Sequence, residues 1–201
     1  LKGNQSSVYG SGAIGGTIHI TTKKGEPGFN RNVNYTTGSN GTHNLSTSLS
    51  GGDEKKTYYV GLQRFQTDGI SQMTHNDEKD RYRNNGLIAS FNNKFSDTLE
   101  VQSNARVAET YLQYDADCVS TAFGCSTTRD HSEEVDGVEA STNISLIYEP
   151  TEKLTNKFTV ANTYIKRIYA AATGSKNTVQ DNYYGDRYAF LYQGSYNFNL
   201  D

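Results

Sequence analysis

The sequence predicts an all-β fold and, within that class, a transmembrane antiparallel β-barrel. Polar and apolar residues alternate over runs of roughly ten residues, which is the length a tilted membrane-spanning strand needs. The polar connections between these runs are alternately short and long. Membrane barrels show this alternation because they have tight turns on one side of the membrane and longer loops on the other. Eight runs are predicted, near 31–38, 43–51, 56–67, 81–95, 98–113, 135–149, 153–170 and 183–199.

Each run has two faces of different chemistry, because successive side chains of a strand point to opposite sides. In the sixth run Ile144 and Leu146 share one face, whereas Glu139 and Asn143 lie on the other. One face suits lipid and the other a wet interior, and Tyr and Phe gather towards the strand ends as in interfacial girdles. A soluble β-sandwich also alternates, although its apolar face is normally richer in Val, Ile and Leu, and it is the alternative fold.

The connections are predicted to lie on alternate sides of the membrane. The short ones span 51–55, 95–98 and 149–153, and the long ones, expected on the outer side, span 68–80, 114–134 and 171–182. The first outer connection, 38–41, is short and departs from this rhythm.

Composition excludes several classes of protein. No run approaches the eighteen apolar residues of a transmembrane helix. The formal net charge of −3 includes no basic surplus, so nucleic acid is not an expected partner. No nucleophile elbow, zinc-protease motif or phosphate-binding loop occurs, so the chain is not expected to be an enzyme. The first residue is Leu and no signal peptide is visible, which we interpret as truncation.

The densest motif lies near the start of the chain. Tyr9 and Gly10 are followed by Gly12, Gly15 and Gly16, so that four glycines fall within seven residues before an Ile/His/Ile/Thr alternation. Glycine at this density indicates tight turns or close backbone approach. The Tyr-Gly, the Ala-Ile-Gly-Gly and the short Ile-rich strand together resemble the C-terminal end of the plug domain of TonB-dependent outer-membrane receptors. An ordinary glycine hairpin of another β-protein is the alternative.

The resemblance implies a domain division and an architecture. Residues 1–28 would be the end of the plug and its linker, and 29–201 the N-terminal part of the receptor barrel. Plugged transporters have about 22 strands, so the chain is expected to be a fragment with two unpaired sheet edges. Polar residues of the barrel would meet the plug through hydrogen bonds and water: Gln102, Asn104, Arg106, Glu139 and Asn143.

The resemblance also implies a function in the bacterial outer membrane. The receptor would take up a scarce large solute, a cobalamin or an iron-siderophore, with energy from the TonB complex. TonB would bind an N-terminal motif that this chain does not contain, and lipid would surround the barrel. A passive porin or an adhesin-type barrel is the alternative, although such barrels lack the glycine-rich segment before the first strand.

Two loop sites are predicted. Cys118 and Cys125 lie seven positions apart in the longest loop and are expected to form a disulfide in an oxidising compartment, with metal binding as the alternative. Among receptors of this family the chain looks most like the cobalamin receptors, where a Tyr-Asp pair ends the fifth strand, as Tyr114-Asp115 does here. Asp115 and Asp117 are therefore candidate calcium ligands, with solvated loop charge as the alternative. No cofactor is expected to be required.

Overall fold

The computed structural model describes residues 3, 15–16, 22–70, 79–115, 119–121, 124–126, 132–173 and 176–198. All regular secondary structure in these ranges is β-strand, which confirms the predicted all-β class. Within them, no helix is long and apolar enough to cross a membrane. The strands are β1 (Gly28–Gly38), β2 (Thr42–Gly52), β3 (Lys56–Thr67), β4 (Tyr82–Ser96), β5 (Leu99–Asp115), β6 (Val119–Thr121), β7 (Gly124–Ser126), β8 (Ser132–Thr151), β9 (Leu154–Thr173) and β10 (Lys176–Tyr196).

Eight of these strands form one antiparallel sheet. Its order is β1-β2-β3-β4-β5-β8-β9-β10, so neighbours in the sequence are also neighbours in space. The strands β6 and β7 pair only with each other, as a hairpin in the connection between β5 and β8. In the described residues the sheet is open, and β1 and β10 are its edges. The eight consecutive antiparallel strands predicted from the alternation are confirmed.

Local sequence explains the tightest turns. The β1–β2 hairpin closes through a Thr42 N–H that donates to the Ser39 carbonyl at 3.1 Å. Between them Asn40 and Gly41 have φ of 56° and 61°. Positive φ at both central residues is typical of the two-residue hairpin turn whose twist matches that of the flanking strands. At the β2–β3 turn the Asp53 carboxylate accepts the N–H groups of the two lysines that follow, each at 2.8 Å. These hydrogen bonds lower the pKa of Asp53 below 3.8.

The long outer connection predicted for 171–182 is wrong. Strand β9 continues to Thr173 and β10 begins at Lys176, with a bulge between Val179 and Asp181. The connection at 114–134 is also shorter than predicted, because β5 ends at Asp115 and β8 begins at Ser132. Backbone ladder bonds do not require apolar side chains. In 170–173 and 176–181 polar and apolar residues do not alternate regularly, so the pattern that identifies a strand in the sequence is lost there.

The register joins the alternating strands into two continuous surfaces, because cross-strand partners lie on the same face. We call the first the apolar face; it carries Val33, Leu45, Leu49, Val60, Leu62, Leu87, Phe91, Val107, Ile144, Leu146, Phe158, Val160, Phe190 and Tyr192. The second, the polar face, carries Asn32, Ser46, Ser48, Gln63, Ser90, Asn104, Arg106, Glu139, Ser141, Asn143 and Thr163. The polar residues that we expected to meet the plug lie on one face of the sheet: Gln102, Asn104, Arg106, Glu139 and Asn143.

Candidate functional site: the two faces of the sheet

The apolar face is uncovered in the part of the chain that the structure describes. Phe190 is 79% exposed, Val33 72% and Ile144 57%. Among the described residues the only buried hydrophobic residue is Ala108, and it lies on the opposite, polar face. Soluble monomers rarely expose contiguous apolar patches larger than a few hundred Å². A soluble β-sandwich would bury such a surface against a second sheet, and here the eight strands form a single layer.

The apolar face has the height of a bilayer core. On β8 its apolar positions run from Val138 to Tyr148, and the acidic residues Glu134 and Asp136 follow towards the loop end. At a rise of about 3.3 Å per residue, this stretch is roughly 33 Å long. A strand tilt of about 40° reduces it to roughly 25 Å, the height of the lipid-facing band of outer-membrane barrels.

Aromatic side chains lie at the end of this band where the short turns are. Phe158 and Tyr192 have ring centroids 4.9 Å apart, and the Tyr192 hydroxyl donates to Asn156 Oδ1 at 2.9 Å. Tyr196 and Phe198 pack edge to face at 4.8 Å. Rings with an apolar body and a polar tip suit the boundary between lipid and water. This arrangement agrees with the predicted girdle.

A segment that precedes β1 crosses the polar face. We call residues 22–25 the strap. Thr22 donates its hydroxyl to Asn104 Oδ1 on β5 at 3.1 Å, and Ser90 on β4 donates to the carbonyl of Lys23 at 3.0 Å. Ser90 is only 7% exposed. A Cβ on Gly25 would overlap the backbone of Tyr58 on β3, so that the close approach of strap and strand requires glycine.

The rest of the polar face is held together by hydrogen bonds. Asn104 donates to Asn143 Oδ1 at 3.1 Å across β5 and β8, and the Ser145 and Thr159 hydroxyls lie 2.8 Å apart across β8 and β9. Ser145 is only 4% exposed. Paired polar groups of this kind tolerate contact with water and with a polar partner, whereas an apolar core would not.

The arginine residues of β5 and β9 meet a single carboxylate on this face. Arg106 Nη1 lies 3.7 Å from Glu139 Oε2, and Arg167 Nη2 lies 3.5 Å from Glu139 Oε1. All three side chains are about half exposed. Glu139 therefore links β5, β8 and β9 through two ion pairs, which are weak because the side chains are half exposed.

Most of the sequence-predicted site residues lie outside the described residues. Of the glycine motif, Tyr9, Gly10 and Gly12 fall there, and Gly15 and Gly16 are described. Gly16 has a φ of 137°, which L side chains rarely adopt, so glycine is required at this position. The assignment of the motif to a plug stays a prediction.

The predicted loop sites are also untested. Cys118 and Asp117 lie outside the described residues, so neither the disulfide nor the calcium site can be compared with the structure. Cys125 lies in β7 opposite Ser120, and Asp115 is the last residue of β5. Within the described ranges, no group of three or more His, Cys, Asp or Glu residues could hold a metal ion.

The sequence did not identify Ser90 and Gly25 as residues that position the strap. The Gly25-Glu26-Pro27-Gly28 segment reads as a turn-rich linker, and nothing in it indicates which strands it crosses. No protein-family model matches this chain.

Proposed function

We propose that this chain forms part of the wall of an outer-membrane β-barrel and the segment that enters its lumen, in a TonB-dependent receptor. The receptor takes up a scarce large solute, a cobalamin or an iron-siderophore. The apolar face contacts lipid, and the polar face lines the lumen. The role is transport, with no catalytic step in this part of the protein.

One observation carries the proposal: the strap lies on the polar face, opposite the uncovered apolar face. A chain that precedes the first strand and returns across the inner surface of the wall is the path that a plug requires. In a soluble sandwich the same segment would gain more by covering the exposed apolar side chains, since burial of apolar surface is worth about 25 cal/mol per Å².

The edges of the sheet set a further requirement. Unpaired N–H and C=O groups are costly in lipid, so that only closed barrels cross a membrane as strands. Strands from the rest of the barrel would pair with β1 and β10. An eight-stranded barrel is filled by its own side chains. A barrel with these additional strands would be wider, and its lumen could hold a plug.

The chemistry of the polar face suits a plug that must move. Hydrogen bonds such as that between Thr22 and Asn104 are worth only about 0.5–1.5 kcal/mol each, because water replaces them when they break. A plug held in this way stays in place at rest and can be displaced by force transmitted from TonB. The outer membrane has no nucleotide or ion gradient of its own, so the energy must come from such a partner.

Cysteine labelling in intact cells tests the placement of the wall. We expect an impermeant thiol reagent to modify a cysteine placed at position 75 and to leave cysteines at positions 53 and 152 unmodified. Protein in detergent, where all three positions react, provides the control. Modification of position 53 or 152 from outside, with 75 protected, would refute the topology.

Uptake with and without TonB distinguishes an energised receptor from a passive porin. We expect the full receptor to concentrate its solute only in cells that contain TonB. Equal uptake in cells that lack TonB would remove active transport and favour the passive channel.

A further inference from the structure

A pocket opens on the apolar face of β2 to β5, at the end that lies towards the long loops. It has a volume of about 410 Å³. Its apolar lining comes from Leu45, Leu62, Leu87 and Val107, which belong to two adjacent cross-strand rows of this face. Ligand pockets in proteins measure roughly 300–1,000 Å³, so this one has room for part of a lipid molecule.

The apolar face stays low beyond the pocket, towards the middle of the apolar band. Ala89 on β4 and Ala105 on β5 are cross-strand partners, and each contributes only a methyl group to the surface. Val60 on β3, which pairs with Ala89 on its other side, has a larger side chain. The pocket therefore continues into a shallow depression over β4 and β5, which suits an extended hydrocarbon chain.

Two arginines lie at the loop end of the pocket. Arg64 on β3 lines the pocket, and its cross-strand partner is Asn85 on β4. Arg83 lies two residues from Asn85 and is therefore the diagonal neighbour of Arg64 on the same face. Diagonal neighbours are roughly 7–8 Å apart, within reach of long side chains, so the two guanidinium groups can contact one phosphate.

Neither guanidinium group is neutralised within the part of the chain that the structure describes. Arg64 donates from Nε and Nη2 to Gln66 Oε1 at 3.3 and 3.2 Å. Arg83 lies over the Tyr111 ring, with its Cζ 5.5 Å from the centroid. Among the described residues, no carboxylate lies within ion-pair distance of either arginine.

The charges around the pocket are divided between its two sides. Strands β1 to β4 contain no Asp or Glu, so the β3–β4 side is purely cationic. Glu109 on β5 lines the opposite side and is the cross-strand partner of Asn85. An anionic group is therefore attracted to the arginines and kept away from β5.

We infer that the pocket binds a membrane lipid whose headgroup carries a phosphate. The phosphate lies between Arg64 and Arg83, because arginine forks bind phosphate in a bidentate manner, and one acyl chain fills the pocket and the depression beyond it. Lipid tails are as apolar as leucine, so the chain gains packing alone and the arginines select the headgroup. The site rests on the proposed function in that the apolar face contacts lipid, and it needs neither TonB nor the plug.

Photo-cross-linking of the full receptor in phosphatidylcholine vesicles tests the site. A minor fraction of the lipid, either phosphatidylglycerol or phosphatidylcholine, carries a photoreactive group on one acyl chain, and mass spectrometry locates the cross-links. We expect the phosphatidylglycerol probe to label Leu62 and Leu87 in preference to the phosphatidylcholine probe, because its phosphate has no cationic group beside it in the headgroup. Both probes should label Val160, on the apolar face of β9, equally.

The variants R64Q and R83Q should each lower the ratio of phosphatidylglycerol to phosphatidylcholine cross-links at the pocket by about fivefold, the attraction of one basic residue for an anionic lipid. K166Q is the matched control, because Lys166 is a cation of the same face on β9, four strands from β3. It removes the same charge and should leave the ratio at the pocket unchanged. Labelling of Val160 reports that each variant has inserted, and R83Q carries the test if R64Q does not insert.

Equal labelling of the pocket by the two probes in the parent protein would overturn the inference. An equal fall of the ratio in K166Q and R64Q would also overturn it, because it would indicate attraction by net charge alone. Either result, with Val160 labelled, removes the lipid site and leaves the proposed barrel in place. Absence of label from Leu62, Leu87 and Val160 alike would count against lipid contact of the apolar face, and so against the barrel itself.

Discussion

Replacement of Gly25 by alanine is expected to detach the strap from the polar face. The new Cβ would overlap the main chain of Tyr58, and a strand backbone held on both sides by ladder bonds cannot move aside. Displacement of the strap breaks the bond from Thr22 to Asn104 and the bond from Ser90 to the Lys23 carbonyl.

The size of the effect follows from those two bonds. Each contributes about 0.5–1.5 kcal/mol, because water replaces the partner when the strap leaves the polar face. We therefore expect a loss of about 1–3 kcal/mol in the free energy of strap docking. This corresponds to a roughly 5- to 140-fold larger undocked population, at about 1.4 kcal/mol per factor of ten.

Limited trypsin digestion in detergent measures that population, because cleavage after Lys23 and Lys24 needs the strap to leave the wall. The G25A variant should be cleaved there much faster than the parent protein, and S90A should show a smaller increase. G86A is the control, since a Cβ on Gly86 would meet only the side chain of Gln63 at an ordinary 4.0 Å. If G25A and G86A were cleaved at the same rate as the parent, the strap contacts would carry no stability and the reasoning would fail.

Three further results are expected. Ile144→Arg, near the middle of the apolar band, should reduce the stability of the protein folded in lipid vesicles by about 2–4 kcal/mol. Ser141→Arg on the polar face should reduce it little. Equal losses in the two variants would contradict the assignment of faces. Cys118 and Cys125 should give a non-reduced peptide two hydrogens lighter than the reduced one by mass spectrometry; free thiols in protein from the cell surface would end that idea. Asp53→Ala should destabilise the β2–β3 turn at neutral pH. Because hydrogen bonds hold the folded pKa of Asp53 below 3.8, the difference between variant and parent should persist above that value and vanish as the pH falls through the folded pKa, as a denaturation series can measure.

The alternation in the sequence was sufficient to predict the strands inside the apolar band. Residues such as Ile144 and Leu146 alternate with polar neighbours, so the two faces of the strand differ in residue type and the period of two is visible in the sequence. Turns are also determined by local residue types. Asn40-Gly41 is a residue pair that favours a tight hairpin, and an Asp such as Asp53 can accept hydrogen bonds from the N–H groups that follow it.

The same contrast explains the error at 171–182. In 176–182 polar residues such as Asn177 and Asp181 do not alternate regularly with apolar ones, so the sequence of this segment resembles that of a loop. Only the pairing of β9 with β10, residue by residue, decides that these positions are strand. The backbone hydrogen bonds between β9 and β10 depend on the position of the partner strand. The residue types of the segment itself do not indicate that position.

What the sequence determined by itself was the two-faced sheet: its class, its strand order and the residues of each face follow from periodicity and from turns between adjacent strands. The tertiary structure alone decided which distant groups meet. Thr22 and Asn104 are separated by 82 positions, and the Arg106–Glu139–Arg167 cluster spans three strands. Such contacts require the register of several strands and the path of the strap at once. A local sequence pattern does not predict these contacts, because each contact depends on the geometry of all the hairpins that lie between the two residues in the chain.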